Sequence, residues 1–534
     1  MTIREQIKEI ISNTLEEKVE FTVEVPENKN YGNYATNIAL ILAKKEKKNP
    51  IEVAQEIISK IEIPASPAGG RNPKLFEKVE NVNGFINFFL KPEFLQQQVK
   101  EIIKQGKKYG KLEIGKNKKI QVEFISSNPT GPLTVANGRG GPMGDVLANV
   151  LKAAGYKSEK EFYVNDSGNQ IEILGHSILK DEQAQYKGEY IDKLAKKISA
   201  QGETSPRRGG EDPYEIGKKA AEIIVKEMIK KTTDKFGINY DKWFFESELG
   251  KKNLPDKIIK FLKEKDLLYE KDNATWFKST NFGDTRDRVL IKKDKNKTYL
   301  TNDIAYHYNK FKERKFDEVI NIWGADHHGD VPGLMAGVEA IGYKGKLKII
   351  LHQFITVLEK GEKVKMSKRL GTFIPLDELL EAVGADVVRF FFLMYSADQH
   401  MDFNLDLAKE KSEKNPVYYV QYAYARINSI LRKSKGHNLE AKLDLLKHPS
   451  EIELIKNLIK LPEIIEDIAT DYQVQRLPNY AIELATAFHK FYTDCRILGE
   501  KKNLEKARLS LITATKIILE NILDLMGISK PERM

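Results

Sequence analysis

Apolar residues Ile3, Ile7, Ile10 and Leu15 fall on one helical face. Residues 21–25 and 85–90 are short apolar runs with the character of strands, and helices are expected near 33–45 and 51–61 between them. Residues 1–112 therefore read as a small mixed α/β unit. From Ile120 the pattern becomes strand, loop and helix. A strand is expected at 121–126, a Pro/Gly loop at 128–133, a helix at 140–154 and a second strand near 160–164. Apolar strands at 318–323 and 347–352 continue the alternation. This is the pattern of an α/β fold with a parallel sheet wound by helices, whose ligands sit at the carboxyl ends of the strands. Residues 113–375 are expected to form that core, with an insertion.

Beyond about Leu376 no strand is expected. Val417, Val420, Tyr424, Ile427 and Leu431 form one apolar stripe. Tyr480, Leu484, Phe488, Phe491, Cys495 and Leu498 form a second, and Leu504, Ala507, Leu511, Ala514, Ile518, Ile522 and Leu525 a third. Residues 376–534 thus read as an all-α bundle, with Cys495 a packed core thiol. Two Ser-Pro-rich stretches, 66–73 and 204–211, have loop composition and read as insertions outside the chemistry.

At 534 residues the chain is too long for one core, so several domains are expected. A single cysteine excludes an internal disulfide and a Cys-rich zinc site. No run approaches the roughly eighteen apolar residues of a membrane span, and the N-terminus lacks a signal core, so no membrane partner and a cytoplasmic location are expected. The net charge of +10 suits a polyanionic partner, yet the lysines are dispersed, and solvated helix faces explain them equally well. Charge decides nothing here.

Chemistry enters with 128–139, Asn-Pro-Thr-Gly-Pro-Leu-Thr-Val-Ala-Asn-Gly-Arg. A chain turning sharply out of a strand into a helix presents unpaired amides to an anion, and small residues let a nucleotide approach. More than two hundred residues later comes Lys-Met-Ser-Lys-Arg at 365–369. Ammonium groups on such a loop can neutralise charge that builds on a leaving pyrophosphate. Tyr299-Leu-Thr-Asn-Asp303 places a tyrosine one helical turn before a carboxylate, and a carboxylate can hold a guanidinium through two parallel hydrogen bonds, which an ammonium cannot fill. Read without context, that pair is a capping Asp and a core Tyr.

Together these segments resemble the arginyl-tRNA synthetases, a class I aminoacyl-tRNA synthetase family. The blocks 161–170 and 323–329 resemble it as well, as do Asn-Pro-Val-Tyr-Tyr-Val-Gln-Tyr-Ala at 415–423 and the C-terminal 527–534. The resemblance implies a Rossmann-like core between an N-terminal tRNA-binding domain and a C-terminal helical anticodon domain. It implies ATP-dependent attachment of L-arginine to tRNA(Arg) through an arginyl-adenylate, with Mg²⁺ arriving on ATP, no protein-held metal, and a monomer.

Residue roles follow in the same way. Lys368 closes on the phosphates with help from Lys365, and Met366 and Ser367 lie in the same ATP loop. Pro129, Gly131, Thr134, Ala136 and Asn137 form the other ATP loop, with Gly324, Asp326 and His327 beside it. Glu123, Ser126, Asn128, Tyr299, Asp303 and Asp326 are assigned to arginine, and Tyr31, Asn33, Tyr418 and Tyr422 to tRNA. The family has His-x-Gly-His where this chain has Thr134-Val-Ala-Asn137. Thr and Asn also donate hydrogen bonds. The Ala136 methyl stands where a glycine normally lets adenine lie on the backbone. A second reading therefore stays open, a paralogue that binds tRNA or arginine without activating it. A metal cluster at 326–328 is disfavoured, because adjacent residues rarely converge on one ion.

Overall fold

The apolar run after residue 118 becomes the middle strand of a five-stranded parallel sheet. The computed structural model describes residues 1–62, 75–200, 212–364, 374–434 and 441–534. The strands are β1 (Lys119–Phe124), β2 (Lys157–Val164), β3 (Lys242–Phe245), β4 (Glu318–Gly324) and β5 (Leu347–His352), in the order β5-β4-β1-β2-β3. Ile120 to Phe124 are all buried, as a parallel strand covered on both faces requires. The chain winds outward from β1 through β2 and β3, then returns on the other side as β4 and β5. A crevice therefore opens between the carboxyl ends of β1 and β4, where the winding reverses.

Helix α1 (Gly140–Ala153) lies against β1, and Gly144 is the point of closest approach. A Cβ there would overlap the Phe124 ring and its Cβ. Between β2 and β3 the described residues form the helices Asn169–Leu179, Glu189–Ala200 and, end to end, 213–235, and a three-stranded antiparallel sheet (Leu268–Lys271, Ala274–Phe277, Arg288–Ile291) precedes α2 (Tyr299–Tyr308).

Several elements differ from the sequence expectation. Strands do not vanish beyond Leu376, because Met401–Asn404 pairs in parallel with Ile355–Glu359. Its four residues are too few for a period to register, and its partner lies forty residues upstream. The expected strand at 121–126 ends at Phe124, because Ile125 and Ser126 turn left-handed with φ of 69° and 41°. The helix expected near 33–45 starts only at Ile38, after a three-residue strand, Tyr34–Thr36.

The N-terminal four-stranded antiparallel sheet and its helices pack against the C-terminal bundle. Arg4 bridges to Asp467 (2.5 Å), and the Tyr34 hydroxyl and the Arg4 amide both donate to Glu463 (2.8 and 3.0 Å). Helix α3 (Ala385–Leu393) carries Arg389, wholly buried, which pairs with Asp145 of α1 and donates to the carbonyl of Met526 (2.8 Å) at the end of the last helix. Most of each apolar stripe in the bundle is buried, Cys495 included. Among the described residues no helix is long and apolar enough to cross a membrane. The stretches 66–73 and 204–211 lie outside the described residues.

Gly144→Ala should destabilise the chain by about 1–3 kcal/mol, because α1 can accept a methyl only by moving off the sheet. Thermal unfolding read by circular dichroism checks this, and an unchanged midpoint would contradict the packing at Gly144.

Candidate active site

A cavity of about 750 Å³ fills the crevice at the carboxyl ends of the strands. Glu123, Ser126, Asn128, Ala136, Asn137, Tyr299, Asp303, Gly324, Asp326 and His327 all line it. Pro129, Gly131 and Thr134 are not on its wall. Lys365, Met366, Ser367 and Lys368 lie outside the described residues.

The loop after β1 is shaped by strain and capping. Ile125 is β-branched and rarely tolerates positive φ, so its φ of 69° is a local cost held by the fold around it. The turn it makes lets Ser126 Oγ accept the Tyr163 amide of β2 (3.1 Å). Thr134 and Asn137 cap one another. The Thr134 hydroxyl and amide donate to Asn137 Oδ1 (2.7 and 3.0 Å), and the Asn137 amide donates back to Thr134 Oγ1 (3.2 Å). The hydroxyl proton of Thr134 is thereby committed inside the loop, and the donor this pair can offer a ligand is Asn137 Nδ2. Ala136 is exposed on the cavity wall, so its methyl faces open space.

The residues after 373 pair with this loop, and Val364, before 365, pairs with the strand that follows the cavity wall. Val135 donates to the Ile374 carbonyl (3.0 Å) and Leu376 to that of Leu133 (2.8 Å), while Val364 pairs with Val357 (2.8 Å) just beyond the wall residues Phe354 and Ile355. Arg139, two residues past Asn137 and fully buried, donates to the carbonyls of Gln353, Phe354 (2.7 Å), Ser396 (3.3 Å) and Gln399, which rivets the wall after β5 to the same loop.

Opposite lie the carboxylates. Asp303 sits one turn after Tyr299 on α2, and Tyr299 is 59% exposed at the cavity mouth. Desolvation, followed by the charges of Glu246, Glu123 and Asp330, raises Asp303 to about 8. Glu246, which the sequence reading missed, follows β3 and is held by Tyr163 (2.6 Å), Ser167 and Asn302 (3.2 Å). Its signal is weak, since the strand before it has only four residues. Glu123 lines the cavity, but one of its oxygens is engaged by buried Lys310 (2.5 Å). Burial takes His352 down to about 4, so this wall residue is neutral. Asp326 and Asp330 flank His327 at 3.7 and 3.5 Å. Among the described residues no group of three or more His, Cys, Asp or Glu is arranged to hold a metal ion.

A second cavity, of about 790 Å³, opens in the bundle. Arg426 lies 4.8 Å from the ring centres of both Tyr422 and Tyr492, and Arg432, Lys433, Arg496 and Arg533 complete a basic rim that holds one carboxylate, Glu532. Tyr418 stacks on Tyr422 at 6.3 Å and is not on the wall. In the N-terminal unit Tyr31 is exposed, whereas Asn33 Oδ1 accepts the Leu90 amide (2.8 Å) and braces the sheet.

Comparison with known proteins decides the family. The profile described as tRNA synthetases class I (R), catalytic domain, matches residues 98–389, which is more than half of the chain. The chain belongs to the arginyl-tRNA synthetases. The profiles of the arginyl tRNA synthetase N-terminal domain and the DALR anticodon binding domain match residues 1–90 and 420–534 of this synthetase. The arginine–tRNA ligase of Carboxydothermus hydrogenoformans is 44% identical to it, over 97% of this chain and 95% of that one. That of Bacillus subtilis is 39% identical over the whole of both. The solved arginyl-tRNA synthetase of Thermus thermophilus shares its fold across the full length of both chains, with a TM-score of 0.79 at 22% identity.

The raised Asp303 gives this synthetase a pH signature. Were a guanidinium to pair with the Asp303 carboxylate, its binding below about pH 8 would have to expel a proton. Affinity should rise roughly tenfold per pH unit up to that value and level off above it. Calorimetry at pH 7 in two buffers of different ionisation enthalpy should show proton release that fades toward pH 9. Asp303→Asn should remove both the release and the binding.

Proposed function

We propose that this chain activates L-arginine with ATP and transfers it to tRNA(Arg), releasing AMP and pyrophosphate. The observation that supports this reading is one cavity lined by Tyr299 and Asp303 together with Ala136 and Asn137 of the 133–137 loop, to which Ile374 and Leu376 pair. An arginine whose guanidinium lies between Asp303 and Tyr299 points its carboxylate toward that loop. There the carboxylate oxygen attacks the α-phosphorus of ATP, the bond to the bridging oxygen breaks, and pyrophosphate leaves. The terminal ribose hydroxyl of the tRNA then attacks the adenylate carbonyl, and AMP departs with the bonding electrons. No protein nucleophile is needed, so catalysis rests on positioning and charge stabilisation.

Asn128, exposed on the cavity wall, is suited to the α-amino and carboxylate groups of arginine, and the strand-end residues Gly324, Asp326 and His327 to ATP. Lys368 and Lys365 have the phosphate-neutralising role that the sequence resemblance implies. Mg²⁺ would be held mainly by the ATP phosphates and water. The finer readings, a monomer working in the cytoplasm, rest on the sequence. In the bundle cavity Tyr422, Tyr492 and Arg426 offer stacking faces ringed by cations, which suits an unpaired anticodon base. The paralogue without activation has no observation in its favour.

Arginine-dependent ATP–pyrophosphate exchange with cognate tRNA tests the reading. The natural chain should be active, Lys368→Ala should lose about 10²–10³ in rate, and Ala136→Gly should change it by less than about threefold. No exchange in the natural chain would favour the binding-only paralogue. Tyr422→Ala should weaken tRNA binding by about 1–3 kcal/mol in a filter-binding titration.

A further inference from the structure

Beneath the floor of the arginine pocket lies a lysine that the reaction does not use. After α2 the helix widens into a π-type turn, Asn309–Glu313. Wide turns of this kind often mark functional sites, and this one buries Asn309, Lys310 and Phe311. Lys310 is wholly buried, and its ammonium has three neighbours from three elements. It donates to Glu123 Oε2 of β1 (2.5 Å) and to Asn321 Oδ1 of β4 (3.2 Å), and it lies 4.1 Å from the ring centre of Tyr306 on α2.

The contacts run onward to Asp303. With its Oδ1 on Lys310, Asn321 turns Nδ2 toward His307 Nε2 (3.0 Å). Nε2 must then accept, which leaves the proton on Nδ1, and Nδ1 donates to the backbone carbonyl of Asp303 (2.7 Å). Burial holds His307 well below its ordinary value, so the ring stays neutral and the tautomer is set by its two partners. One ammonium thus orients Glu123 directly and the Asp303 turn through two side chains.

We infer that Lys310 is a positioning residue for arginine recognition, a buried countercharge that holds Glu123 in place and, through Asn321 and His307, fixes the turn that carries Asp303. The inference rests on the proposed arginine-activating function. Glu123 and Asp303 line the cavity and Lys310 does not, so any effect of Lys310 on substrate passes through them. A stabilising role alone would be met as well by an apolar residue opposite a neutral partner, since burying an ion pair rarely gains stability over well-packed apolar side chains. Burial lowers the proton affinity of Lys310 itself, and the carboxylates of Glu123 and Glu161 of β2 oppose this; Asn321, Tyr306, His307 and Arg314 are the other groups that face it. Those facing Asp303 are Glu246, Glu123, Asp330 and Lys310, and of these only Lys310 favours the carboxylate form.

The test is the KM for arginine and for ATP in ATP–pyrophosphate exchange with cognate tRNA, measured from pH 6 to 9 for the natural chain, Lys310→Met and Lys310→Arg. For the natural chain the arginine KM should fall with rising pH and level off near 8. Lys310→Met should raise it about tenfold at pH 7.5 and move the levelling point up by about one pH unit, with the ATP KM within twofold. Lys310→Arg should keep the natural profile. If Lys310→Met does not fold, Lys310→Gln replaces it, retaining a donor to Glu123 without the charge. A natural arginine profile in the uncharged variant, or equal rises in both KM values at every pH, overturns the inference. Lack of exchange in the natural chain would instead refute the proposed function.

Discussion

Three carboxylates, Glu123, Glu246 and Asp303, converge on one cavity, and their mutual repulsion is the constraint around which the site is built. Like charges in a desolvated place cannot all ionise unless something answers them. Glu246 is answered by three neutral donors, Tyr163, Ser167 and Asn302, and Glu123 by the buried Lys310. Among the described residues no cation is bonded to Asp303, and desolvation followed by the neighbouring carboxylates raises its proton affinity.

Bringing these groups together depends on where the sheet reverses its winding. β1 and β4 are neighbours in space although nearly two hundred residues separate them, and their carboxyl ends supply Glu123, Ser126, Gly324 and Asp326. Close packing of α1 on β1 at Gly144 holds the preceding loop at the crevice. Arg139 then draws in the wall after β5 through four carbonyls, none of which carries charge, so its guanidinium acts as a mechanical tie. The strained turn at Ile125 and Ser126 is tolerated because β2 and the loop hold it from both sides.

The same logic joins the outer units. Arg4 meets acidic residues on the bundle, and Arg389 connects α1, which follows the 128–139 loop, to the end of the last helix. The loop after β1 and the bundle cavity are thus parts of one packed body, with a half-buried Arg4 and a buried Arg389 at its seams.

Much of this was written in local patterns. The alternation around 119–164, the strands at 318–324 and 347–352 and the three apolar stripes follow from periodicity, because burial on one face imposes a spacing that any window of the chain displays. The motif residues, such as Thr134 with Asn137 and Tyr299 with Asp303, were legible as short blocks that resemble the family's, since each lies within five residues of sequence. What only the tertiary structure decided concerns partners distant in sequence. It showed that Met401–Asn404 is a strand, that Glu246 faces the cavity, that Thr134 spends its hydroxyl on Asn137, and that Lys310 is buried beneath Glu123. A four-residue strand has too few positions to show a period, and a lone lysine reads as solvent-exposed until a wide helical turn rotates it inward. Charge and pairing in this protein are set by what the fold brings within a few ångströms, and the chain order carries no record of that distance.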